Sequence, residues 1–351
     1  MNKTQLLLDK VESGLGSWSD FKMLLNLDSS DLEPVFTLAQ KITRKNFGNN
    51  LKIYNPTKRF PAISITGTEC ALECEHCNKK YLHGMEQILE KKDLEDFLIK
   101  LSKNNGVGAL ISGGSSSDGS VPLLDFIDTI KKVKRETNLI INTHTGLLNE
   151  ETARRLADAD VDIVSFDINM DEEVVRNIYH LDIELSEYKR AIKLLKEYDL
   201  NIVPHICIGL YYGRLNKELE SIKFIKETEI NPSLIVIIIL IPPKDSKIKF
   251  ESPKPEEIAK VIAVLRLVFP KTEISLGCMR PRGKIKNEIE KVAIKAGITR
   301  IEIPSKDTLK WLKNYNSKIQ FKYFSACCAI PNKFEKLAES KKSDIKRYFN
   351  I

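Results

Sequence analysis

Short apolar runs alternate with amphipathic stretches along most of this chain. Eight of the runs have the length of a strand: AISITG, VGALIS, LIINT, VDIVSF, NIVPHICIG, LIVIIILI, EISLG and TRIEIP. The stretches between them, such as LLDFIDTIKKVKR and PEEIAKVIAVLRLVF, repeat apolar residues at helical spacing. Eight strand and helix units over roughly 240 residues predict a parallel (β/α)8 barrel of the TIM type, complete or nearly so. A doubly wound open sheet is the structural alternative.

The segments that flank the predicted barrel differ from it in pattern. Residues 1–48 read as helices that begin near Thr4, Ser19 and Ser30, where a small polar residue precedes an apolar periodic stretch. We expect this segment to form an N-terminal helical cap, residues 49–315 to form the barrel, and residues 316–351 to form a C-terminal extension.

Composition and charge exclude several classes of protein. A hydrophobic content of 42% over 351 residues supports a large buried core. The net charge is +7, but the sequence has no dense run of basic residues like that of a nucleic-acid binding protein. The longest apolar run, at 234–241, is too short for a membrane span, and MNKTQLLLDKVESG lacks the features of a signal peptide. We therefore expect a cytoplasmic protein, in which seven cysteines indicate metal ligation or catalysis.

Three of these cysteines form the motif CALECEHC, which we call the first cysteine loop. Cys70, Cys74 and Cys77 follow the strand AISITG directly, so they would lie at the mouth of the barrel. Thiolates suit an iron-sulfur cluster, and three ligands for four irons leave one iron open to bind S-adenosylmethionine and reduce its sulfonium. The alternative is a structural zinc site with His76 or His83 as the fourth ligand.

The C-x3-C-x2-C spacing after the first barrel strand resembles the signature of the radical S-adenosylmethionine (radical SAM) superfamily. This resemblance implies a [4Fe-4S] cluster that binds S-adenosylmethionine and generates a 5′-deoxyadenosyl radical. It also implies that His76, at the position before the last cysteine, contacts the adenine. Ser112, Gly113 and Gly114 resemble the glycine-rich stretch that seats the methionine end of the cofactor.

Polar side chains follow three further predicted strands. Asn142 and His144 end INTH, Asp167 ends VSFD, and His205 lies in VPHICIGL. Because the carboxyl ends of the strands gather at the mouth of a barrel, we expect these side chains to contact cofactor or substrate. Structural hydrogen bonding is the alternative for each of them. Cys207 would face the same side as His205, and we interpret it as a core cysteine.

A second cysteine site combines residues that are distant in sequence. Cys278 ends the seventh strand, and Cys327 and Cys328 follow the strand-like stretch IQFKYF. If the extension folds back over the mouth, the three thiols would hold an auxiliary iron-sulfur cluster that donates sulfur to a substrate radical. A redox disulfide or inert cysteines remain alternatives. The sequence does not assign a fourth ligand, although Ser325, Arg280 and Arg282 are near in sequence and Cys207 could reach.

Over residues 20–330 the chain resembles the biotin synthase and lipoyl synthase branch of the superfamily. Several segments together resemble one member of the paired archaeal lipoyl synthases: FPAISITGTECALECEHC, YLHGM, SGGSSSDGSVPL, NTHTG, PHICIGL, LGCMRPRG and CCAI. This resemblance implies sulfur insertion into an octanoyl chain on a lipoyl-carrier protein. It further implies a sister radical SAM subunit and a low-potential electron donor as partners.

Two other functions fit the same residues. One is a different radical reaction on the same scaffold, of the biotin synthase type, that acts on a small cofactor precursor. The other, from a different class, is a non-catalytic iron-sulfur or zinc binding protein that serves in assembly.

Overall fold

The computed structural model of this chain describes residues 3–341 and residue 345, and its centre is one eleven-stranded sheet. Every strand pairing in the sheet is parallel. The strands are β1 (Asn50–Tyr54), β2 (Ala62–Ser64), β3 (Glu86–Gln87), β4 (Gly108–Ser112), β5 (Ile140–His144), β6 (Ile163–Asp167), β7 (Ile202–Ile208), β8 (Leu234–Ile239), β9 (Glu273–Leu276), β10 (Arg300–Glu302) and β11 (Gln320–Phe324).

All eight predicted strands are present, as β2 and as β4 to β10. The hydrogen-bonded order is β11-β1-β10-β9-β8-β7-β6-β5-β4-β2-β3, so β3 and β11 are the two edges. Among the described residues no ladder joins these edges, and the complete barrel is therefore not confirmed. The fold is an α/β half-barrel. Periodicity did not predict β1 or β3, because β1 lies outside the alternation of strands and helices and β3 has only two residues.

Helices connect most of the strands and cover the convex face of the sheet. In α5, for example, Ile127, Ile130 and Val133 are buried at helical spacing while the lysines between them face solvent. The helices are α1 (Lys3–Glu12), α2 (Trp18–Leu25), α3 (Leu32–Phe47), α4 (Lys91–Lys103), α5 (Ile127–Glu136), α6 (Glu150–Asp158), α7 (Glu172–Asn177), α8 (Ser186–Glu197), α9 (Glu218–Glu227), α10 (Pro255–Val268), α11 (Lys284–Lys295), α12 (Lys306–Tyr315) and α13 (Glu335–Ala338). None of the described helices is both long and apolar enough to cross a membrane.

The N-terminal helices belong to this outer layer. Helices α2 and α3 pack on α10, and α3 also contacts α11. Helix α10 is consequently buried on almost every side, including the guanidinium of Arg266, which donates to the carbonyl oxygens of Gly297, Phe269 and Thr272. Residues 1–2 of the predicted N-terminal cap lie outside the described residues.

The predicted C-terminal extension joins the same sheet. Strand β11 pairs with β1 along five residues, from Asn50 with Gln320 to Tyr54 with Phe324. Beyond β11, Ala326, Cys328 and Ile330 are buried in a small core on the concave face. Residues 342–344 and 346–351 of the extension lie outside the described residues.

The side chains on the concave face change from apolar to polar between the amino ends and the carboxyl ends of the strands. On β5, Ile140, Asn142 and His144 point to the same side, and Ile163, Ser165 and Asp167 do so on β6. The first residue of each series lies in the concave core, and the last lies at the carboxyl end of its strand. Because of the strand register, the polar side chains at the ends of neighbouring strands lie next to one another at the mouth.

Candidate metal centres

The first cysteine loop lies between β2 and β3, at the mouth of the half-barrel, and is held by neighbouring backbone. Its Ala71 N–H donates to the Ser115 carbonyl oxygen at 2.7 Å, and its Glu75 N–H donates to the Ile178 carbonyl oxygen at 2.9 Å. The Ser115 N–H also donates to Cys70 Sγ at 3.2 Å. These bonds fix the loop between the end of β4 and the segment after α7.

The three thiols of the loop are partly buried and influence one another. Burial, together with the Cys77 and Cys70 thiols, raises the pKa of Cys74 to about 12. Burial also raises the pKa of Cys77. A thiolate at these positions is disfavoured unless a positive charge is nearby. A bound metal would supply that charge in place of the protons, so the three thiols fit a metal-binding role.

The spacing of these thiols favours a cluster over a single ion. Among the described residues, Cys70, Cys74 and Cys77 do not form a set whose sulfur atoms all lie within 4.8 Å of one another. A single zinc ion, with Zn–S bonds of about 2.3 Å, would need such a set. The donors therefore fit a [4Fe-4S] cluster better than the zinc alternative.

Two glycines at the end of β4 allow the loop to approach closely. A Cβ atom on Gly114 would lie 2.0 Å from the Glu69 carbonyl oxygen and 2.6 Å from Cys70 Cβ. The Gly114 N–H donates to Thr66 Oγ1 at 2.7 Å. Ser112 is buried, and its hydroxyl donates to the His144 carbonyl oxygen at 3.3 Å. In this structure the glycines make room for the cysteine loop itself; their predicted contact with the methionine end of the cofactor stays a prediction.

His76 has an unsatisfied polar atom beside the loop. Its Nδ1 is buried and has no hydrogen-bond partner among the residues that the structure describes, and its ring packs on Tyr179 with the centroids 5.4 Å apart. Burial lowers the pKa of His76 to about 4, although the nearby Asp167 carboxylate acts in the opposite direction. A neutral ring with a free buried nitrogen fits a planar, hydrogen-bonding ligand such as adenine.

His144, Asp167 and His205 meet at the mouth beside His76. Asp167 and His205 are register partners on β6 and β7, and His144 Nε2 lies 3.4 Å from Asp167 Oδ2. One donor atom of each residue lies within 4.8 Å of the other two, so the three could hold a metal ion or a polar ligand. The predicted convergence of these residues is present in the structure.

Electrostatics couples the three groups. Burial alone would raise the pKa of Asp167, but the charges of His144, His205 and His76 outweigh it and hold that pKa at about 2. Burial alone would lower the pKa of His144, but Asp167 outweighs it and raises the pKa above 6.5. Burial, reinforced by His144, lowers the pKa of His205 to about 4. The site thus pairs an ionised carboxylate with one basic and one neutral imidazole.

Asn142 lies deeper than this group, whereas Cys207 lies two residues beyond His205, towards the carboxyl end of β7. Asn142 is buried and its Oδ1 accepts from Ser165 Oγ at 3.0 Å, which is the structural alternative considered for it. Cys207 faces the same side as His205, and it packs against the apolar cluster that includes Val174 and Leu210. Burial raises the pKa of Cys207 well above its usual value.

The second cysteine site is also brought together by the fold. Cys278 is exposed and follows β9, whereas Cys327 and Cys328 follow β11. The Glu302 charge raises the pKa of Cys278 well above its usual value, and Cys327 adds to this effect. The Cys327 and Cys328 sulfur atoms and a Glu302 oxygen all lie within 4.8 Å of one another. By the criterion applied to the first cysteine loop, these three donor atoms could bind a single metal ion as they stand, and the soft thiols also suit an iron-sulfur cluster.

Two of the groups considered as fourth ligands have other partners. Arg280 donates through Nη2 to Glu290 at 2.6 Å and to the Glu302 carbonyl oxygen at 2.8 Å. The Ser325 hydroxyl is buried and hydrogen-bonds Ser340 Oγ at 2.8 Å. The sequence prediction did not include Glu302, although it ends β10 on the concave face just as Asp167 ends β6. The expectation that polar residues at the carboxyl ends of strands meet at the mouth applies to Glu302 as well.

Sequence comparison shows similarity to a known superfamily over part of this chain. A sequence profile of the Radical SAM superfamily matches residues 64–225, which contain the first cysteine loop. A biotin synthase of Buchnera aphidicola subsp. Acyrthosiphon pisum (strain APS) is 26% identical over 287 residues, which are 77% of this chain and 78% of that protein. A biotin synthase of Leptospira biflexa is 25% identical over 71% of this chain and 69% of its own length.

Solved structures show the same fold. Methylornithine synthase (PylB) superimposes with a TM-score of 0.61 at 20% identity, covering 86% of this chain and 87% of its own. The FeFe-hydrogenase maturase HydG from Carboxydothermus hydrogenoformans superimposes with a TM-score of 0.66 at 16% identity, covering 86% of this chain and 70% of its own. At these identities the likeness concerns the half-barrel alone.

Proposed function

We propose that this chain is a radical SAM enzyme of the biotin synthase type, to which it is similar in sequence, and that it inserts sulfur into an octanoyl chain on a lipoyl-carrier protein. In this proposal it is one component of a two-protein lipoyl synthase. The family implies a [4Fe-4S] cluster and S-adenosylmethionine, which together supply a 5′-deoxyadenosyl radical, and an auxiliary iron-sulfur cluster would supply the sulfur.

The observation that supports this proposal most is the close grouping of Cys327 and Cys328 around Glu302 on the concave face, with Cys278 interacting with the same carboxylate. An unactivated carbon is not attacked by sulfide directly, so a sulfur donor must share a cavity with the radical source. A second set of soft ligands in the same half-barrel meets that requirement.

Each part of the concave face has its own task in the proposed reaction. Cys70, Cys74 and Cys77 hold the radical-generating cluster. The open Nδ1 of the His76 ring and the paired side chains of His144 and Asp167 orient S-adenosylmethionine. The second cysteine site presents sulfur to the substrate.

The partners follow from the same proposal. The substrate arrives attached to a carrier protein, a sister radical SAM subunit performs the other insertion, and a low-potential donor supplies electrons. The basic balance of the chain, +7 overall, complements an acidic carrier surface.

The test is an anaerobic incubation with S-adenosylmethionine, a reductant and an octanoylated peptide from a lipoyl-carrier protein. We expect formation of 5′-deoxyadenosine together with a peptide whose mass has gained sulfur. The variant in which Cys278, Cys327 and Cys328 are replaced by alanine is the control and should form only 5′-deoxyadenosine. If the wild type forms 5′-deoxyadenosine and leaves the peptide without sulfur, the proposal is wrong.

The curated relatives favour a second candidate. Both relatives described above are biotin synthases, which supports a radical reaction on a small cofactor precursor. The same incubation with free small precursors in place of the peptide separates the two candidates. Sulfur gain by a free precursor, with none by the peptide, would select the second candidate.

A further inference from the structure

Glu302 lies where a fourth donor to the second cysteine site would lie. It is the last residue of β10, and its carboxylate faces the concave side, in register with Tyr54 of β1. The carboxylate accepts from the Cys328 N–H at 3.4 Å and interacts through its side chain with the Cys278 and Cys328 thiols. Its oxygen is also within 4.8 Å of Cys327 Sγ. Glu302 therefore contacts or closely approaches all three cysteines.

Glu302 differs from the other buried glutamates near it, because each of those forms an ion pair with a basic side chain and Glu302 does not among the described residues. Glu290 is fully buried and accepts from Arg280 at 2.6 Å. Glu273 is buried and pairs with Lys52 at 2.7 Å and with Arg300. Glu302 is only 4% exposed, yet across residues 3–341 it forms no ion pair within 4.0 Å. A buried carboxylate without an ion-pair partner is strongly disfavoured, so this position calls for either a proton or a metal cation.

Arg280 does not supply that charge directly. Its two Nη atoms donate to the carbonyl oxygens of Gly277 and Glu302 and to the Glu290 carboxylate. Its Nε is buried and has no hydrogen-bond partner in the described part of the chain. The guanidinium thus fixes the backbone of Glu302 and leaves the carboxylate directed at the thiols.

We propose that Glu302 is the fourth protein ligand of the second cysteine site, which then offers three thiolates and one carboxylate to its metal centre. This inference rests on the proposed function for the identity of that centre as an iron-sulfur cluster. On binding, the three thiols release their protons to solvent. A carboxylate oxygen is a harder ligand than a thiolate and binds iron less tightly. Of the four protein ligands, the Glu302 carboxylate would therefore be the one that exchanges most readily.

The test isolates this site in the full-length chain by replacing Cys70, Cys74 and Cys77 with alanine. This parent is reconstituted anaerobically with sulfide and with iron enriched in the Mössbauer isotope. Iron, zinc and sulfide contents and the Mössbauer spectrum are then measured. The same measurements are made after adding Glu302→Gln, Glu302→Cys or Ser325→Ala, and circular dichroism checks folding.

The proposal predicts one distinct iron in the parent, which becomes thiolate-like in Glu302→Cys. Glu302→Gln should lose iron or convert to a three-iron cluster, while Ser325→Ala should match the parent. Retention of iron by Glu302→Cys shows that loss in Glu302→Gln is not misfolding. If Glu302→Gln has the parent's metal content and spectrum, Glu302 is not a ligand.

Two further outcomes separate this inference from the proposed function. A parent that binds zinc and loses it in Glu302→Gln supports Glu302 as a ligand but overturns the sulfur-donor function. A parent that binds no metal overturns both the inference and the auxiliary cluster on which the proposed function depends.

Discussion

Cys70, Cys74 and Cys77 come from a single loop of eight residues, whereas Cys278, Glu302, Cys327 and Cys328 come from three segments that lie up to 50 residues apart. The first set is held by backbone hydrogen bonds from β4 and from the segment after α7. The second set depends on the sheet order, in which β1 lies between β10 and β11. The segment after β11 reaches across to the end of β10, where the Cys328 N–H donates to the Glu302 carboxylate at 3.4 Å.

The comparison shows two ways in which a half-barrel can place soft ligands on its concave face. In a short loop the sequence spacing of the cysteines limits how far apart their thiols can lie. A metal site of this kind can therefore be predicted from the sequence motif alone. A site made from separate strand ends depends on the whole sheet order. Such a site also includes any polar residue that the strand register places beside the thiols. In the second cysteine site this residue is Glu302.

The largest effect should come from the first cysteine loop. Replacing Cys70, Cys74 and Cys77 with alanine should reduce 5′-deoxyadenosine formation to background, because no other described site combines three thiols beside the glycines of β4. Product analysis by chromatography checks this, with iron content measured in parallel. Iron retained at the second cysteine site would agree with two independent sites, and undiminished 5′-deoxyadenosine would contradict the assignment of the loop.

The next effect separates radical formation from sulfur transfer. Replacing Cys278, Cys327 and Cys328 with alanine should abolish sulfur gain by the substrate and preserve 5′-deoxyadenosine formation, since the first cysteine loop is built from different elements. Mass spectrometry of the substrate and quantification of 5′-deoxyadenosine give the two readouts. Loss of both activities in a folded variant would show that the two sites do not act separately.

A smaller effect tests how the first cysteine loop is held. Gly114→Ala would place a Cβ atom 2.0 Å from the Glu69 carbonyl oxygen, so the loop must shift, at a cost of about 1–3 kcal/mol. We expect lower iron occupancy of the first loop and a lower melting temperature. Gly84→Ala is the matched control, because a Cβ atom there meets nothing within 4 Å. Equal behaviour of the two variants would show that the close approach does not matter.

The smallest effect concerns the group formed by His144, Asp167 and His205. Asp167→Asn removes the charge that raises the pKa of His144, and burial then acts alone, so that pKa should fall from above 6.5 to below it. Titration of the imidazole protons by NMR in the metal-free protein measures the change. Asp125→Asn, at an exposed position, is the control. An unchanged His144 titration would mean that the two residues are not coupled.

Sequence predicted the fold well where the pattern is local. Each of the eight strands was marked by its own apolar run, such as LIVIIILI for β8, because a strand buried on both faces is apolar throughout. Closure of the barrel is a different kind of property. It depends on whether the edge strands meet, and neither the two-residue β3 nor the insertion of β1 beside β10 leaves a periodic signal.

The candidate sites divide in the same way. The first cysteine loop and the strand-end group of His144, Asp167 and His205 were predictable, because one follows from spacing and the other from strand ends meeting at the mouth. The convergence of Cys278 with Cys327 was a hypothesis about how the extension folds. Thr66 and Tyr179 were missed because their contacts with Gly114 and His76 exist only after folding.

The central claim is that the first cysteine loop generates the radical and the second cysteine site supplies the sulfur. Its most direct test is to reconstitute the protein with sulfide enriched in a heavy sulfur isotope, remove free sulfide, and perform one turnover with the octanoylated carrier peptide and S-adenosylmethionine. We predict that the inserted sulfur carries the heavy isotope and that the alanine variant of Cys278, Cys327 and Cys328 yields no labelled product. Formation of 5′-deoxyadenosine with unlabelled or absent sulfur in the wild-type product would contradict the claim.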